Sequence, residues 1–292
     1  MMVRTMTPKY GSVSELCRLV GLAESSYHYH PQGLVDEASD SALLSALGAL
    51  AGRYPTYGYR RLGVLLRGQK AFSQVNNKRL RRLMKQAGIR AKTPRKRIST
   101  TNSAHGFRRY PNLLKTLPEI TKPDQVWVCD ITYIRLADGS FVYLAIVLDV
   151  FTRVIRGWAL GKDITHELAL AALNKALKKA VPHIHHSDQG VQYATPRYTD
   201  TLSSLNIQIS MSDKGKAWQN GYAERLMLTI KEEEVYLNEY LSFDMARANI
   251  GGFIDAVYNK KRIHSALGYI SPSQFEANWR ANQSVISSKF LS

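Results

Sequence analysis

Along the first 90 residues, apolar side chains recur at the spacing of helices. Leu16 and Leu19 lie on one face of a predicted helix that ends at Gly21, and a second short helix is predicted to begin near Glu24. Within residues 1–35, this pattern indicates a small helix-turn-helix-like segment. A helical hairpin that only packs against its neighbour would give the same pattern, so both interpretations stay open.

Residues 36–91 predict an all-helical region with basic outer faces. A helix rich in Ala and Leu is followed by a Tyr-Gly-Tyr-Arg-Arg turn, and a further helix begins near Val75 and is expected to end at Gly88. In this last helix, Leu80 and Leu83 face the core and the cations project outward, which makes the region a candidate DNA-binding domain. Its predicted DNA contacts are Arg60, Arg61, Lys78, Arg79, Arg81, Arg82 and Lys85.

Residues 92–120 are rich in basic residues and in Ser, Thr, Asn and Pro, with little apolar periodicity. We expect a basic linker that becomes ordered when DNA lies against it. Arg95, Lys96 and Arg97 are its predicted DNA contacts.

Over residues 121–236, the pattern changes to that of strands. Three apolar segments, with an Asp-Gly turn signal between the first two, predict three antiparallel strands, and helices then alternate with two further strands. This order is that of an α/β fold like ribonuclease H, in which helices flank a mixed sheet. In such a sheet, the strand that carries Asp130 and the strand that ends at Asp188 are neighbours. Residues 237–292 predict a helical extension.

Three carboxylates occupy positions that suggest a catalytic site. Asp130 lies within a strand of β-branched and aromatic residues, where propensity disfavours it and burial of an unpaired charge is costly. Asp188 ends a second strand, and Glu224 begins a helix. A divalent cation would compensate for these charges, and three carboxylates around two hard cations form a site for in-line phosphoryl transfer. Asp130, Asp188 and Glu224 are therefore the candidate catalytic residues and metal ligands.

Other polar residues near these carboxylates are assigned structural roles. His183, His185 and His186 are expected to support the fold or face DNA, because Mg²⁺ prefers oxygen ligands to imidazole. Asn220 is expected to turn or cap the helix that carries Glu224.

The positive charge is concentrated in the first part of the chain. The 292 residues carry a formal charge of +17, and residues 1–120 contain 21 Lys and Arg against 6 Asp and Glu. Residues 121–292 contain 19 against 17. This distribution favours a polyanionic partner whose binding weakens as salt increases. A solvated surface that only maintains solubility is the alternative.

The positions of the cysteines and the hydropathy argue against a disulfide-bonded, a zinc-binding and a membrane-spanning protein. Cys17 and Cys129 lie far apart, so neither a disulfide framework nor a zinc site is expected. No apolar run approaches the ~20 residues of a membrane span. We expect a cytoplasmic protein with no membrane partner, associated with the nucleoid when it is bound to DNA.

The segments around the carboxylates resemble a known family. Val-Cys-Asp-Ile-Thr-Tyr at 128–133, His-Ser-Asp-Gln-Gly at 186–190 and Asn-Gly-Tyr-Ala-Glu at 220–224 are similar to the signature segments of the DDE transposases of bacterial insertion sequences. The insertion sequence three family, whose catalytic core is related to retroviral integrase, is the most similar. The 35 residues between Asp188 and Glu224 match the family's D,D(35)E spacing.

The resemblance implies an enzyme that cleaves DNA at the ends of an insertion sequence and transfers the strand to target DNA. Two Mg²⁺ ions, which Mn²⁺ can replace, would be its cofactors. Lys231 stands seven residues after Glu224, where the family carries a basic residue, and would anchor a phosphate of the cleaved strand. A solvated lysine is the alternative. The further predicted DNA contacts are Lys214, Lys216 and Arg262.

The resemblance also implies partners. They are double-stranded DNA of the element ends and the target, further copies of the chain in a synaptic complex, and the protein of an upstream reading frame. The last is expected because transposases of this family usually begin with a separate helix-turn-helix and leucine zipper, after which this chain is expected to start. Two other functions stay open: a nuclease of the same fold without strand transfer, and a catalytically idle DNA-binding regulator.

Overall fold

A computed structural model describes residues 12–28, 37–92 and 106–289. Within these ranges, the chain forms a helical region, a five-stranded sheet with helices on both faces, and a helical C-terminal region. None of the helices described there is long and apolar enough to cross a membrane. The predicted DNA contacts that lie outside the described residues are Arg95, Lys96 and Arg97.

The helices before the sheet are α1 (Val13–Leu19), α2 (Glu24–His28), α3 (Glu37–Arg53), α4 (Tyr59–Arg67) and α5 (Asn77–Gln86). The strands are β1 (Val126–Arg135), β2 (Phe141–Asp149), β3 (Ile155–Gly161), β4 (Ile184–Ser187) and β5 (Gln208–Met211). The helices between and after the strands are α6 (His166–Leu177), α7 (Val191–Ala194), α8 (Pro196–Ser204), α9 (Gly221–Glu233), α10 (Phe243–Gly252) and α11 (Pro272–Lys289). A π-helical segment, Phe253–Tyr258, continues α10.

The first two helices form where the sequence predicts them. The side-chain oxygen of Ser12 accepts a hydrogen bond from the backbone N–H of Glu15 (3.3 Å) and begins α1. Gly21 ends it with a φ of +64°, a conformation that favours glycine, and the N–H of Leu22 donates to the carbonyl of Cys17. The helix, the turn and the second helix are confirmed. Binding of DNA by this segment stays a prediction.

Helices α3 to α5 share an apolar core. Leu47, Leu62 and Leu80 are fully buried in it, as the pattern of apolar positions predicts. Gly88 ends α5 with a φ of +67°. Ile263 of the C-terminal region packs into the same core, so the helical region is docked on the rest of the molecule.

The sheet has the strand order β3-β2-β1-β4-β5. Strands β1, β2 and β3 are antiparallel neighbours, whereas β4 runs parallel to both β1 and β5. The turn between β1 and β2 is the predicted Asp-Gly turn, in which Asp138 Oδ1 accepts from the N–H of Ser140 (2.9 Å). The predicted ribonuclease-H-like order is therefore confirmed.

Helices cover both faces of the sheet. The apolar sides of α9, α10 and the π-helical segment pack on one face, and α6, α7 and α8 pack on the other. Helix α6 approaches β3 so closely that a Cβ atom at Gly157 would lie 2.1 Å from the carbonyl oxygen of Ala172. Glycine at this position is therefore required by the packing of the helix on the sheet.

The described part of the predicted linker, residues 106–120, packs along the sheet and is called the strap here. Leu117 and Ile120 pack against the apolar layer of α9. The N–H of Leu113 donates to Ser210 Oγ (2.9 Å), and Lys115 Nζ lies 2.6 Å from a carboxylate oxygen of Asp213. The prediction that residues 92–120 become ordered only against DNA is wrong for the strap, because apolar side chains within it bury themselves on the catalytic region.

The C-terminal region is held to β3 and its neighbours by polar contacts. Asn259 Oδ1 accepts from the N–H of Ile155 (3.0 Å), and Asn259 Nδ2 donates to the Ile155 carbonyl (3.3 Å), so the side chain mimics a strand partner. The buried Arg156 forms ion pairs with Asp149 (2.9 Å) and with Glu276 of α11 (2.8 Å). The helical extension is thus part of the same folded body.

Candidate active site

Strands β1 and β4 bring Asp130 and Asp188 to the same level of the sheet. In their parallel pairing, Val128 lies opposite His186, and each carboxylate stands two positions further along its chain, Asp188 directly after the end of β4. Asp130 Oδ1 accepts from the next backbone N–H in the chain (2.8 Å), and Asp188 Oδ1 accepts from the N–H of Gly190 (2.9 Å). The predicted adjacency of these two strands is confirmed.

Helix α9 places Glu224 in its first turn, on the face of the sheet to which Asp130 points. Ala223 and Met227 of α9 are buried against the even-numbered face of β1. Just before the helix, the buried Asn220 donates from Nδ2 to the carbonyl oxygen of Cys129 (2.8 Å). Asn220 occupies the N-cap position before the helix, as predicted, but its side chain makes no cap hydrogen bond and instead ties the start of α9 to the residue before Asp130.

The three carboxylates share one electrostatic environment. Burial, the charge of Asp188 and then that of Glu224 together raise the pKa of Asp130 to about 8, while the backbone hydrogen bond and Lys231 act in the opposite direction. Among the described residues, however, no three His, Cys, Asp or Glu side chains are gathered closely enough to hold a metal ion. Metal ligation by the three carboxylates stays a prediction.

Lys231 lies on the side of α9 that faces this group. Its Nζ stands 4.5 Å from the centre of the Tyr133 ring of β1. Its influence on the pKa of Asp130 places its charge near that carboxylate. A role as a phosphate anchor stays a prediction.

His185 and His186 serve the fold. His185 Nε2 lies 2.8 Å from the sulfur of Cys129 and 3.0 Å from the hydroxyl of Tyr198. The ring nitrogens of His186 contact two serine hydroxyls, that of Ser210 in β5 and that of Ser212, which follows the strand. Burial lowers the pKa of His185 to about 3 and that of His186 to about 4, so both rings are neutral at physiological pH. For these two, the predicted structural role is confirmed.

Two of the predicted DNA contacts of α5 are paired within the protein. Arg79 Nε lies 2.6 Å from one carboxylate oxygen of Asp40, and Arg82 Nη2 lies 2.6 Å from the other. Asp40 belongs to α3 and is buried, so this pairing joins α5 to α3. The prediction that Arg79 and Arg82 simply project outward is corrected accordingly, although both side chains stay partly exposed.

Two further predicted contacts meet at Glu233, the last residue of α9. Arg262 is only 3% exposed and donates to Glu233 from Nε (2.8 Å) and Nη2 (2.7 Å). Arg61 of α4 donates to the same carboxylate (3.3 Å). The buried position of Arg262 leaves its guanidinium no surface for DNA, which corrects the prediction for this residue. Glu233 links the helical region, α9 and the C-terminal region.

The other predicted contacts within the described ranges lie on the surface. The exposed ones are Arg60, Lys78, Arg81, Lys85, Lys214 and Lys216. Lys216 also lies 3.2 Å from Asp213. The sequence alone does not predict the hydrogen bond from Asn220 to Cys129 or the junction of ion pairs at Glu233, because both depend on partners far away in the chain.

Comparisons with known proteins agree with this architecture. Two family models described as integrase core domain match residues 120–217 and 205–272, and one described as HTH-like domain matches residues 42–97. The chain is 35% identical over 270 residues to an insertion element IS600 uncharacterized 31 kDa protein of Shigella sonnei, covering 90% of this chain and 98% of that protein. It is 33% identical over 276 residues to transposase InsF for insertion sequence IS3A of Escherichia coli K12, covering 91% and 94%.

The chain belongs to the IS3 family of insertion-sequence transposases. It is therefore a DDE-type DNA phosphoryl transferase that acts in DNA transposition, with an integrase core and an HTH-like region. The relatives do not favour a nuclease without strand transfer or an idle regulator.

Solved structures of retroviral integrases resemble the transposase at low sequence identity. The HTLV-2 integrase catalytic core domain in complex with magnesium matches with a TM-score of 0.43 at 17% identity, covering 53% of this chain and 97% of that one. A chain of the simian T-cell lymphotropic virus intasome in complex with PP2A regulatory subunit B56 gamma matches with a TM-score of 0.46 at 16% identity, covering 79% of this chain and 74% of that one. The magnesium belongs to the HTLV-2 protein.

Proposed function

We propose that Asp130, Asp188 and Glu224 are the catalytic carboxylates with which the transposase cuts element ends and joins them to target DNA. The observation that supports this proposal is electrostatic: the charges of Asp188 and Glu224 both act on the carboxyl group of Asp130. The parallel pairing of β1 and β4, which runs to two positions before Asp130 and Asp188, is consistent with it. The hydrogen bond from Asn220 fixes the start of α9 close to β1.

The chemistry of this donor set fits hard divalent cations. All three groups offer carboxylate oxygens, the ligands that Mg²⁺ and Mn²⁺ prefer. Asp130 is partly buried near two other carboxylates and has a strongly raised pKa, a state that a bound cation would relieve. Two ions, when bound, would activate the attacking oxygen and stabilise the leaving oxygen. Because the three side chains are not gathered into a ligand set in this structure, binding would have to draw them closer.

The residues around the carboxylates would bind and orient DNA. Lys231 would hold a phosphate of the cleaved strand, with the Tyr133 ring fixing the direction of its side chain. Lys214 and Lys216, which precede α9 on an exposed loop, would contact DNA that crosses the site. The exposed cations of α4 and α5 would follow the phosphate backbone outside the site.

The proposed partners follow from this chemistry. They are double-stranded DNA of the element ends and of the target, a second copy of the transposase in a synaptic complex, and the protein of an upstream reading frame. Because the substrate is chromosomal DNA, we place the reaction in the cytoplasm, at the nucleoid.

A joining assay tests the proposed roles. The purified protein is incubated with Mg²⁺ and labelled DNA that carries the element ends, and nicked and joined strands are resolved on a denaturing gel. Asp188→Asn should lose both products. Asp200→Asn, an exposed carboxylate of α8, makes the same chemical change away from the site and should retain them. Equal joining by wild type and Asp188→Asn would overturn the assignment, and nicking without joining by the wild type would indicate a nuclease.

A further inference from the structure

Arg153, in the turn between β2 and β3, has an unusual conformation and surroundings. Its backbone φ is +62°, a left-handed conformation that side chains other than glycine rarely adopt. Its guanidinium carbon lies 4.1 Å from the centre of the Tyr222 ring, in the first turn of α9. Strained backbone conformations persist where the surrounding structure or a function requires them.

The charge of Arg153 is not compensated by a neighbouring acid. Within the described residues it makes no ion pair with a carboxylate, in contrast to Arg156 in the same turn region. Its Nη1 is buried and has no hydrogen-bond acceptor there. Buried donors normally have a partner, so this nitrogen has an unmet hydrogen bond within the described residues.

Other cations reinforce the positive potential around Arg153. Burial and then the charges of Arg262, Arg61 and Arg153 together lower the pKa of His264 to about 3. Arg61 and Arg262 share the single carboxylate of Glu233. Three guanidinium charges therefore act on His264, and two of them share a single acid.

A groove leads to this position. Arg153 and Tyr222 line a cavity of about 570 Å³, together with Leu117 of the strap, Phe151 and Phe275. The exposed carboxylate of Glu119 also borders it but makes no ion pair with Arg153 within the described residues. Tyr222 stands two residues before Glu224, so the groove opens next to the start of the catalytic helix.

We propose that Arg153, whose guanidinium lies over the Tyr222 ring, binds a backbone phosphate of the DNA strand that approaches the active site along this groove. The inference rests on the proposed function, because it takes DNA bound at Glu224 as the ligand. A guanidinium presents a planar set of N–H donors that matches phosphate oxygens, and stacking on a ring fixes that plane before binding. DNA is the polyanion that a transposase must bind, so a phosphate fits better than a peptide carboxylate.

Salt-dependent binding of a labelled duplex tests the proposal. Each neutralised phosphate contributes about 0.9 to the slope of log K against log salt concentration. Arg153→Gln should reduce the slope by about that amount and weaken binding at low salt on the order of tenfold. Arg153→Lys, which keeps the charge without the planar fork, should keep the slope and lose less affinity. Arg197→Gln removes the same charge from the exposed surface of α8, on the opposite face of the sheet, and should leave the slope unchanged.

Single methylphosphonate linkages, placed one at a time along the duplex, identify the contact. One neutral linkage near the cleavage position should weaken binding by the wild type and have no further effect on Arg153→Gln. Arg153→Gly, which relieves the left-handed backbone strain, should have an equal or higher Tm and still bind DNA as weakly as Arg153→Gln. The comparison of Tm with DNA affinity distinguishes loss of the phosphate contact from loss of the folded structure.

The outcomes distinguish this proposal from the proposed function. If the wild type joins DNA and Arg153→Gln binds with an unchanged slope and affinity, the phosphate contact is overturned and the catalytic assignment stands. If Arg153→Gln shows the reduced slope but the wild type never joins strands, the contact stands and the proposed reaction is overturned. Equal losses for Arg153→Gln and Arg197→Gln would mean that only net charge matters, which also overturns the contact.

Discussion

At the scale of single residues, the site depends on how each carboxylate is held. Asp130 and Asp188 each accept a nearby backbone N–H, and burial together with the neighbouring acids makes the negative charge on Asp130 unfavourable. Asn220 positions the third carboxylate indirectly, because it fixes the start of α9 to the carbonyl of Cys129. The position of the third carboxylate and the charge state of Asp130 thus depend on different residues.

Replacing Asn220 by Ala should loosen α9 from β1. Loss of a buried hydrogen bond is expected to lower the free energy of unfolding by about 1–3 kcal/mol and to slow strand joining, since Glu224 would be held less firmly. Chemical denaturation and the joining rate measure the two effects. Asn238→Ala removes an exposed hydrogen bond to the Glu234 carbonyl and serves as the control, with little effect on either. Normal joining by Asn220→Ala would refute the positioning role.

At the scale of elements, the sequence predicts the strands and helices better than it predicts which charged side chains on them form ion pairs. The β1 to β3 hairpins and the alternating helices follow from local apolar periodicity and from an Asp-Gly turn, so the sequence alone predicts them. The neighbouring positions of β1 and β4 follow from the fold order. The pairing of Arg79 with Asp40 does not, because 39 positions separate the two residues and nothing local marks them as partners.

The ion pairs between α5 and α3 stabilise the helical region but hold two arginines that would otherwise be available to DNA. Asp40→Asn should destabilise the helical region by about 1 kcal/mol and release Arg79 and Arg82, which should tighten DNA binding. The hydrogen bond from Arg82 is the largest cause of the lowered pKa of Asp40. The stabilisation is therefore present above the unfolded pKa of about 3.9 and is lost as pH falls through the lower folded value.

Denaturation at pH 7 and near pH 2.5, together with DNA titrations, checks this expectation. The stability difference between wild type and Asp40→Asn should be present at pH 7 and largely absent at the acidic pH. Asp200→Asn, an exposed acid of α8, is the control for a change in net charge. An unchanged DNA affinity for Asp40→Asn would show that the two arginines do not bind phosphate even when they are released.

At the scale of the whole molecule, the helical region and the catalytic region are joined rather than separated by a loose linker. Ile263 enters the core of the helical region, and Glu233 binds Arg61 from one side and Arg262 from the other. Sequence reasoning treated the two arginines as DNA contacts, since a cation in a basic segment gives no local sign of an acid 29 or 172 positions away. These contacts fix the position of the helical region relative to α9 and the C-terminal region.

Glu233→Gln should weaken this junction strongly. Removing one partner of a buried ion pair typically costs about 3–5 kcal/mol, because the remaining charge stays buried without compensation. We expect a lower Tm and a separation of the unfolding of the helical and catalytic regions in calorimetry. Glu232→Gln, the adjacent acid, is the matched control and should unfold as the wild type does. A single unchanged transition for Glu233→Gln would contradict the coupling.

Binding of Mn²⁺ tests the central claim, that Asp130, Asp188 and Glu224 act together as one divalent-metal site. Free Mn²⁺ is measured by electron paramagnetic resonance during titration of the wild type, of Asp130→Asn, Asp188→Asn and Glu224→Gln, and of Asp200→Asn as the control. The account predicts that each of the three substitutions weakens binding at least tenfold, whereas the control binds as the wild type does. Wild-type affinity in the three variants would contradict it.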